Sequence, residues 1–399
     1  MSPCDVVIVG AGIVGLATAE RLTRDHPSLS IRILEAEERV AAHQTGHNSG
    51  VLHSGLYYKP GSLKARLAVQ GRSEMVEFCR ENGIEHDVCG KVVVATTPDE
   101  LPRLENLYER GAANGVAVER IDVDRLHEIE PHCAGIAALL VPETGIVNYR
   151  QVCERLRDLV VERGATVDFN QRVVGIEDRS DGAMVQTNDM SIHTQLVLNC
   201  GGLRSDQVAG MVDAADGHRI VPFRGEYYEL APGSRHLVKN LIYPVPDPSF
   251  PFLGVHLTRM IDGSIHAGPN AVLAMAREGY RWRDVEGRQV LDHVRNKGLW
   301  KLARQHWKTG AGEIWRSVNK GAFVKALARL VPEISAGDLE DSPAGVRAQA
   351  MDADGALVDD FAITNTANSV HVLNAPSPAA TASLQIAGEI VARVTDRLP

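Results

Sequence analysis

Three side chains of the types that move protons or hold carboxylates stand far apart in this chain: His53, His256 and Arg347. An unperturbed imidazole titrates near neutrality, which suits it to remove a hydroxyl proton. His53, in a polar loop, is the first choice of base. His256 is the second, on a stretch that reads as a strand, where Thr258 shares its face and Arg259 points the other way. Each has an ordinary alternative: a loop histidine that only orients a cofactor, or a sheet histidine satisfied in place. Arg347, in Ala344-Gly345-Val346-Arg347-Ala348, offers a planar, bidentate match to a carboxylate. Arg224 is a weaker candidate, and a structural salt bridge is the common alternative for both.

A second chemistry is written in the first residues. Asp5-Val6-Val7-Ile8-Val9 reads as a strand, Gly10-Ala11-Gly12-Ile13-Val14-Gly15 opens a helix, and Ser30 to Leu34 reads as a second strand ending at Glu35. That order is a βαβ unit suited to an adenine dinucleotide. Gly10 permits the turn, Gly12 lets backbone approach a pyrophosphate, and Gly15 lets helix and strand pack closely. The helix N-terminus offers N–H groups to the phosphates, and Glu35 is spaced to bind a ribose.

These groups need elements to bring them together. The loop from His43 to Gly55 is dense in small and polar residues, Thr45, Asn48, Ser49 and Gly50 among them, and could wrap a cofactor through backbone contacts. Residues 62–82 and 150–163 read as helices. A strand near 166–169, another near 172–177 and a glycine-terminated run from Gln195 to Gly201 look like a return to the first unit. Residues 219–270 carry β-branched and aromatic runs, with Ile261-Asp262-Gly263 as a hairpin signal between 252–260 and 264–268. Residues 284–330 read as mostly helical. A strand at 370–373, the turn Asn374-Ala375-Pro376-Ser377-Pro378 and an apolar helix from about Ala380 follow. The N-terminus of that helix, near Ala379 to Thr381, would stabilise the negative charge of a reduced flavin, or merely close the unit.

The expected architecture is therefore α/β with an α+β second domain, discontinuous in sequence. Residues 1–90, 146–215 and 341–399 form a Rossmann-type dinucleotide domain; residues 91–145 and 216–340 form an antiparallel-sheet substrate domain.

Composition narrows the class. The 399 residues are 44% hydrophobic and 23% charged, ordinary for a globular protein, and a net charge of −9 argues against a general nucleic-acid binder. Six cysteines without a CxxC pair suggest reduced thiols in a cytoplasmic setting. No signal peptide or bilayer-spanning run is expected. Residues 295–329 reverse the local charge: Arg295, Lys297, Lys301, Arg304, Lys308, Arg316, Lys320, Lys325 and Arg329 accumulate around Trp300, Trp307 and Trp315, with Glu313 the only acid. A solvated face or a subunit contact explains this slightly better than a peripheral seat on an anionic membrane. Nucleic-acid binding is the weakest reading.

The segments His47-Asn48-Ser49-Gly50-Val51-Leu52-His53-Ser54-Gly55-Leu56-Tyr57-Tyr58, Pro251 to Arg259, Gly268-Pro269-Asn270-Ala271, Gly345 to Gln349 and Asn374 to Thr381 carry a further signal. In this order, over nearly the whole chain, they resemble the D-amino-acid oxidase/glycine oxidase superfamily of FAD enzymes, and within it the L-2-hydroxyglutarate dehydrogenase/oxidase family. The resemblance implies FAD as cofactor and oxidation of L-2-hydroxyglutarate to 2-oxoglutarate, by hydride transfer from Cα to flavin N5. It implies cofactor contacts at Gly10, Gly12, Gly15, Glu35, Thr45, Asn48, Ser49, Gly50, Val173, Gly201, Pro378, Ala379, Ala380 and Thr381, with Arg347 on a substrate carboxylate. The partner of the second carboxylate is not identified. Cysteinyl flavin attachment is not expected, since no cysteine lies in residues 342–399. Electrons would pass to oxygen or a quinone; the basic tryptophan stretch favours a quinone at the inner face of a membrane. The rival readings are a related amino-acid, sarcosine or glycerol-3-phosphate enzyme, and, less favoured, a flavin-containing nucleic-acid modifier.

Overall fold

The computed structural model describes residues 4–247 and 253–398, apart from the side chains of Lys308, Thr309 and Val318. Phe252, expected at the start of a hairpin arm, and Pro251, at the start of a segment that carries the family resemblance, lie outside the described residues.

The strand Cys4–Val9 runs parallel to Ile31–Leu34 on one side and to Ser191–Asn199 on the other. Val6 and Ile8 point into one apolar cluster and Val7 and Val9 into another. Both faces of the strand are thus covered, which is why its sequence is a continuous apolar run rather than an alternating one. Ser191–Asn199 pairs along its other edge first with the hairpin strand Gly182–Thr187 and then with Ser369–Asn374. An eight-stranded sheet results. The helix Ile13–Asp25 packs Leu16, Ala17 and Leu22 into the same core as Ile386 and Ile390 of the helix Ser383–Ala392.

The helix Leu63–Glu81 begins at Ser62, whose hydroxyl accepts from the Ala65 N–H. A Cβ at Gly71 on this helix would lie 2.6 Å from the Ala382 Cα, so the helix rests directly on the backbone just before Ser383. That helix starts later than the sequence suggests, because residues 376–382 are spent on turns: Ala379 N–H donates to Pro376 O and Ala382 N–H to Pro378 O.

A nine-stranded sheet forms the second layer. Its longest pairing is antiparallel, Arg219–Leu230 against Leu339–Met351. The expected boundary at residue 341 falls inside this second strand. Its register with residues 219–230 keeps the chain in the second sheet until Met351, and the return to the first sheet comes at Ala362–Asn365. The hairpin His256–Arg259 with Ile265–Gly268 belongs to the same sheet, flanked by Leu241–Pro244 and then by Lys91–Ala95.

The polar loop after His43 is less irregular than its composition suggests. Gln44–Gly46 is a single 3-10 turn, and Val51–Leu52 pairs with Ile146 and Gly145 in a small three-stranded sheet. The basic stretch is helical over Lys297–Gln305, Trp307–Val318 and Lys320–Leu327, the first and last capped by Asn296 and Asn319.

Candidate active site

A cavity of about 480 Å3 runs between the two sheets, within the size range of cofactor sites. Gly10, Gly12, Glu35, Thr45, Asn48, Ser49, Val173, Gly201 and the turn Pro378 to Thr381 all border it, as do His53, His256 and Arg347. Gly15 and Gly50 do not.

At one end the glycine loop sets the shape. Gly10 adopts φ +100°, and a Cβ there would stand 2.7 Å from Cys200 O. A Cβ at Gly15 would meet Gly10 O at 2.0 Å, so only glycine lets the helix approach the strand. Gly12 differs: a Cβ would meet nothing nearer than Thr45 Oγ1 at 3.5 Å. The space in front of it is open cavity, which is what a bound pyrophosphate requires. Thr45 Oγ1 accepts from Ile13 N–H at 3.2 Å, taking one of the donors at the helix start. Asn48 shapes the loop from within, donating to Thr45 O and accepting from Gly50 N–H at 2.8 Å. Gly50 serves the fold, at φ +64°, with its carbonyl accepting from Val147 N–H.

Glu35 is buried at the same end. One carboxylate oxygen accepts from Ala11 N–H at 2.7 Å and the other from Glu37 N–H at 3.0 Å. Burial pushes its pKa up, and these two amide bonds oppose the shift. Each oxygen keeps a lone pair for a ribose hydroxyl. Val173 and Gly201 border the cavity nearby, and Gly201 N–H is held by the Asn199 side chain. Cys200 also borders it, but burial holds its thiol up at about 12, protonated and inert.

The C-terminal turn bounds the middle of the cavity. Thr381 Oγ1 accepts from His53 N–H at 3.1 Å, donates to Val51 O and bonds the Tyr149 hydroxyl at 2.8 Å. Among the described residues, the N–H groups of Ala380 and Thr381 have no protein acceptor. Open cradle, ribose acceptor and unclaimed amide donors fit a flavin adenine dinucleotide laid along this cavity.

Beyond the turn the walls become aromatic and cationic. His53 Nε2 lies 3.3 Å from Ser377 Oγ. Burial, and then the charges of Lys91, of His256 when protonated, of Arg347 and of Lys64, lower its pKa to about 3. His256 stacks on Tyr243 with ring centroids 4.0 Å apart, and burial brings its pKa to about 4. Its Nδ1 faces Gly254 O at 2.9 Å. A carbonyl only accepts, so Nδ1 carries the proton and Nε2 keeps its lone pair. Arg347 reaches the cavity from the long strand of the second sheet, and its charge acts on His53, His256, Tyr58 and Tyr227. Gly345, two residues earlier, has room for no Cβ, since one would stand 2.5 Å from His47 O. The strand that carries Arg347 therefore presses against the cofactor loop.

Arg224 is not part of this wall. It is buried in an ion pair with Glu226 at 3.0 Å and stacks on Trp282. Lys64 borders the cavity but pairs with Asp359, and Arg66 pairs with Glu389. Sequence reasoning passed over Lys91 and the four tyrosines Tyr57, Tyr58, Tyr227 and Tyr243. A lysine heading the apolar run Val92-Val93-Val94 reads as a solvated strand end, and only the fold puts it inside.

Comparison with known proteins agrees with this geometry. The family model for FAD dependent oxidoreductases (DAO) matches residues 5–393. L-2-hydroxyglutarate dehydrogenase of Indibacter alkaliphilus is 50% identical over 96% of this chain and 97% of its own. The mitochondrial L-2-hydroxyglutarate dehydrogenase of Homo sapiens is 48% identical over 99% and 89%, and that of Escherichia coli K12 is 44% identical over 98% and 93%. Among solved structures, the FAD-bound, dithionite-reduced L-alpha-glycerophosphate oxidase of Mycoplasma pneumoniae superposes with a TM-score of 0.80 at 22% identity, over 99% of this chain and 95% of that one. Glycine oxidase of Geobacillus kaustophilus gives 0.74 at 18% identity, over 100% and 96%. The chain belongs to the FAD dependent oxidoreductases of the DAO family.

Proposed function

We propose that this enzyme oxidises L-2-hydroxyglutarate to 2-oxoglutarate. The observation that carries the reading is the chamber beyond the C-terminal turn, where two neutral imidazoles and an arginine meet at the end of a dinucleotide cradle. Relatives that share 44–50% of their residues and bear that activity in their names support it.

The chemistry FAD supplies when bound is acceptance of the hydride from the substrate Cα. The protein's part is to bind, orient and take the other proton. Arg347 binds the carboxylate next to the reacting carbon, its fork fixing the plane in which the hydroxyl lies. His256 accepts the hydroxyl proton at Nε2, the ring position its Gly254 bond leaves basic. Its hydrogen bonding favours it over His53, the reverse of the order suggested by the sequence. His53, anchored through its backbone to Thr381, orients the hydroxyl. A low imidazole pKa keeps both rings unprotonated at neutral pH, ready to accept. The test is anaerobic mixing of the FAD-loaded enzyme with each enantiomer while following flavin absorbance. Bleaching by the L form alone supports the reading; bleaching by neither defeats it.

We infer further that the electrons leave for a quinone at a membrane surface. Trp300, Trp307 and Trp315 are 61%, 63% and 58% exposed, and Ile314, Val294 and Leu291 are also exposed nearby. Cations flank them, and no helix among the described residues is long and apolar enough to cross a membrane. Exposed indole on basic amphipathic helices supports a peripheral seat on anionic lipid. Equal partition with anionic and neutral vesicles, together with no turnover by a soluble quinone analogue, would defeat this part.

A further inference from the structure

The cations buried among the described residues are Lys64, Lys91, Arg224 and Arg277. Three of them face a carboxylate: Lys64 pairs with Asp359, Arg224 with Glu226 and Arg277 with Asp206. Lys91 is the exception. It is 2% exposed, and no ion pair holds it among the described residues. Its Nζ lies over the ring of Tyr57, 4.4 Å from the centroid, and over that of Tyr243 at 4.9 Å. Ring faces offset part of the cost of burying an ammonium, but much less than a carboxylate would.

Both rings belong to the wall of the substrate chamber. The Tyr57 hydroxyl is buried there without a hydrogen-bond partner among the described residues. The acids that border the cavity lie elsewhere: Glu35, at the end of Ile31–Leu34, is bonded to the glycine loop and Glu278 is paired with Arg204. Lys91 adds positive charge that both His53 and His256 register. Among the described residues the chamber therefore combines Arg347, a second cation one layer behind the wall, a phenol with an unused donor and no acid. That arrangement is complementary to a dianion.

We propose that Lys91 is the specificity-determining residue for the substrate's second carboxylate, its ammonium supplying the counter-charge through the Tyr57–Tyr243 wall and the Tyr57 hydroxyl supplying the hydrogen bond. The proposal rests on the dicarboxylate reading above and deepens it. Desolvation of Lys91, whose pKa falls to about 7, is the cost that an anion in the chamber offsets.

The test compares binding of glutarate and valerate, equal in chain length but different in charge, to the FAD-loaded enzyme, read from perturbation of the flavin spectrum at constant ionic strength. The wild type should favour glutarate by roughly 30-fold or more, the scale of losing one member of a buried charge pair. Lys91→Met, which places an unbranched apolar chain between the two rings, should bring the ratio close to unity. Its melting temperature should not fall, because an unpaired buried charge has been removed. Tyr57→Phe should lower the ratio by a smaller factor. Lys91→Gln repeats the charge test should the methionine variant fail to load FAD. A folded, FAD-loaded Lys91 variant that keeps the preference overturns the proposal, as does a wild type with no preference. A wild type that prefers glutarate but is not bleached by L-2-hydroxyglutarate supports the role of Lys91 while defeating the substrate assignment.

Discussion

The two ends of the cavity are built in opposite ways. The end we assign to the dinucleotide is made of backbone: Gly10, Gly12 and Gly15 leave room, and amides are the groups on offer. The end we assign to the substrate is made of side chains, delivered by a loop at His53, a hairpin at His256 and the long strand at Arg347, with Lys91 at a strand end behind them. The first kind of site tolerates almost no change of shape. The second tolerates shape but not charge or protonation, because its groups act on one another through a medium of low dielectric.

The sharpest way to break this contrast is at the glycines. Gly15→Ala puts a methyl group 2.0 Å from Gly10 O and is expected to abolish flavin binding and soluble expression together. Gly12→Ala meets only Thr45 Oγ1 at 3.5 Å, so it should fold normally and lose FAD affinity alone. Flavin absorbance per protein and the melting temperature separate the two. If both variants fold and bind FAD, the cradle is not shaped by close approach.

At the other end, His256→Asn keeps the ring's approximate volume without its base. The rate of anaerobic flavin reduction should fall by about 100-fold to 10,000-fold at unchanged FAD content. His53→Asn should cost less. The reverse ranking would return the base to the loop. Arg347→Met should act mainly on KM, raising it by roughly 30-fold or more, with kcat far less affected.

The pH dependence is a subtler test. With pKa values of about 3 and about 4, His53 and His256 stay neutral through the range in which free histidine protonates. The acid limb of kcat/KM should therefore lie near pH 4, with no inflection near 6.5. The same shift has a stability sign. Below about pH 6.5 the unfolded chain takes up protons at these positions and the folded one does not. Stability contributed by the pair is thus complete above pH 6.5 and is lost as pH falls towards 4. A melting temperature rising across that interval by less in a His53→Asn/His256→Asn double variant would bear this out. The smallest effect on flavin binding belongs to Gly50→Ala: it should cost more stability than the ~1–2 kcal/mol of its left-handed backbone, because a Cβ there would stand 2.9 Å from Val147 O, with FAD occupancy unchanged.

The same contrast explains what the sequence reveals. Gly10, Gly12, Gly15 and Glu35 are legible because a short βαβ unit fixes their spacing, and a backbone site leaves its mark as glycine. His53, His256 and Arg347 can be singled out by type, yet nothing local says that they converge. That depends on the pairing of Arg219–Leu230 with Leu339–Met351, a register not encoded in either strand alone. Lys91 is the extreme case: its burial comes from neighbouring strands, and that no carboxylate among the described residues pairs with it is announced by no pattern. The boundary expected at 341 has the same origin: Ser342-Pro343 has the composition of a turn, while the pairing with Arg219–Leu230 carries one strand across it.

The Thr381 hydroxyl binds together residues 51, 53 and 149, more than two hundred positions upstream. A growing chain on the ribosome has its phosphate cradle early, but the flavin-facing wall does not exist until residue 381 has been made and has cleared the exit tunnel. Cofactor loading is then a late event in biosynthesis. Before that, until residue 199 has been made, the βαβ unit waits with its central strand unpaired on the edge that Ser191–Asn199 covers.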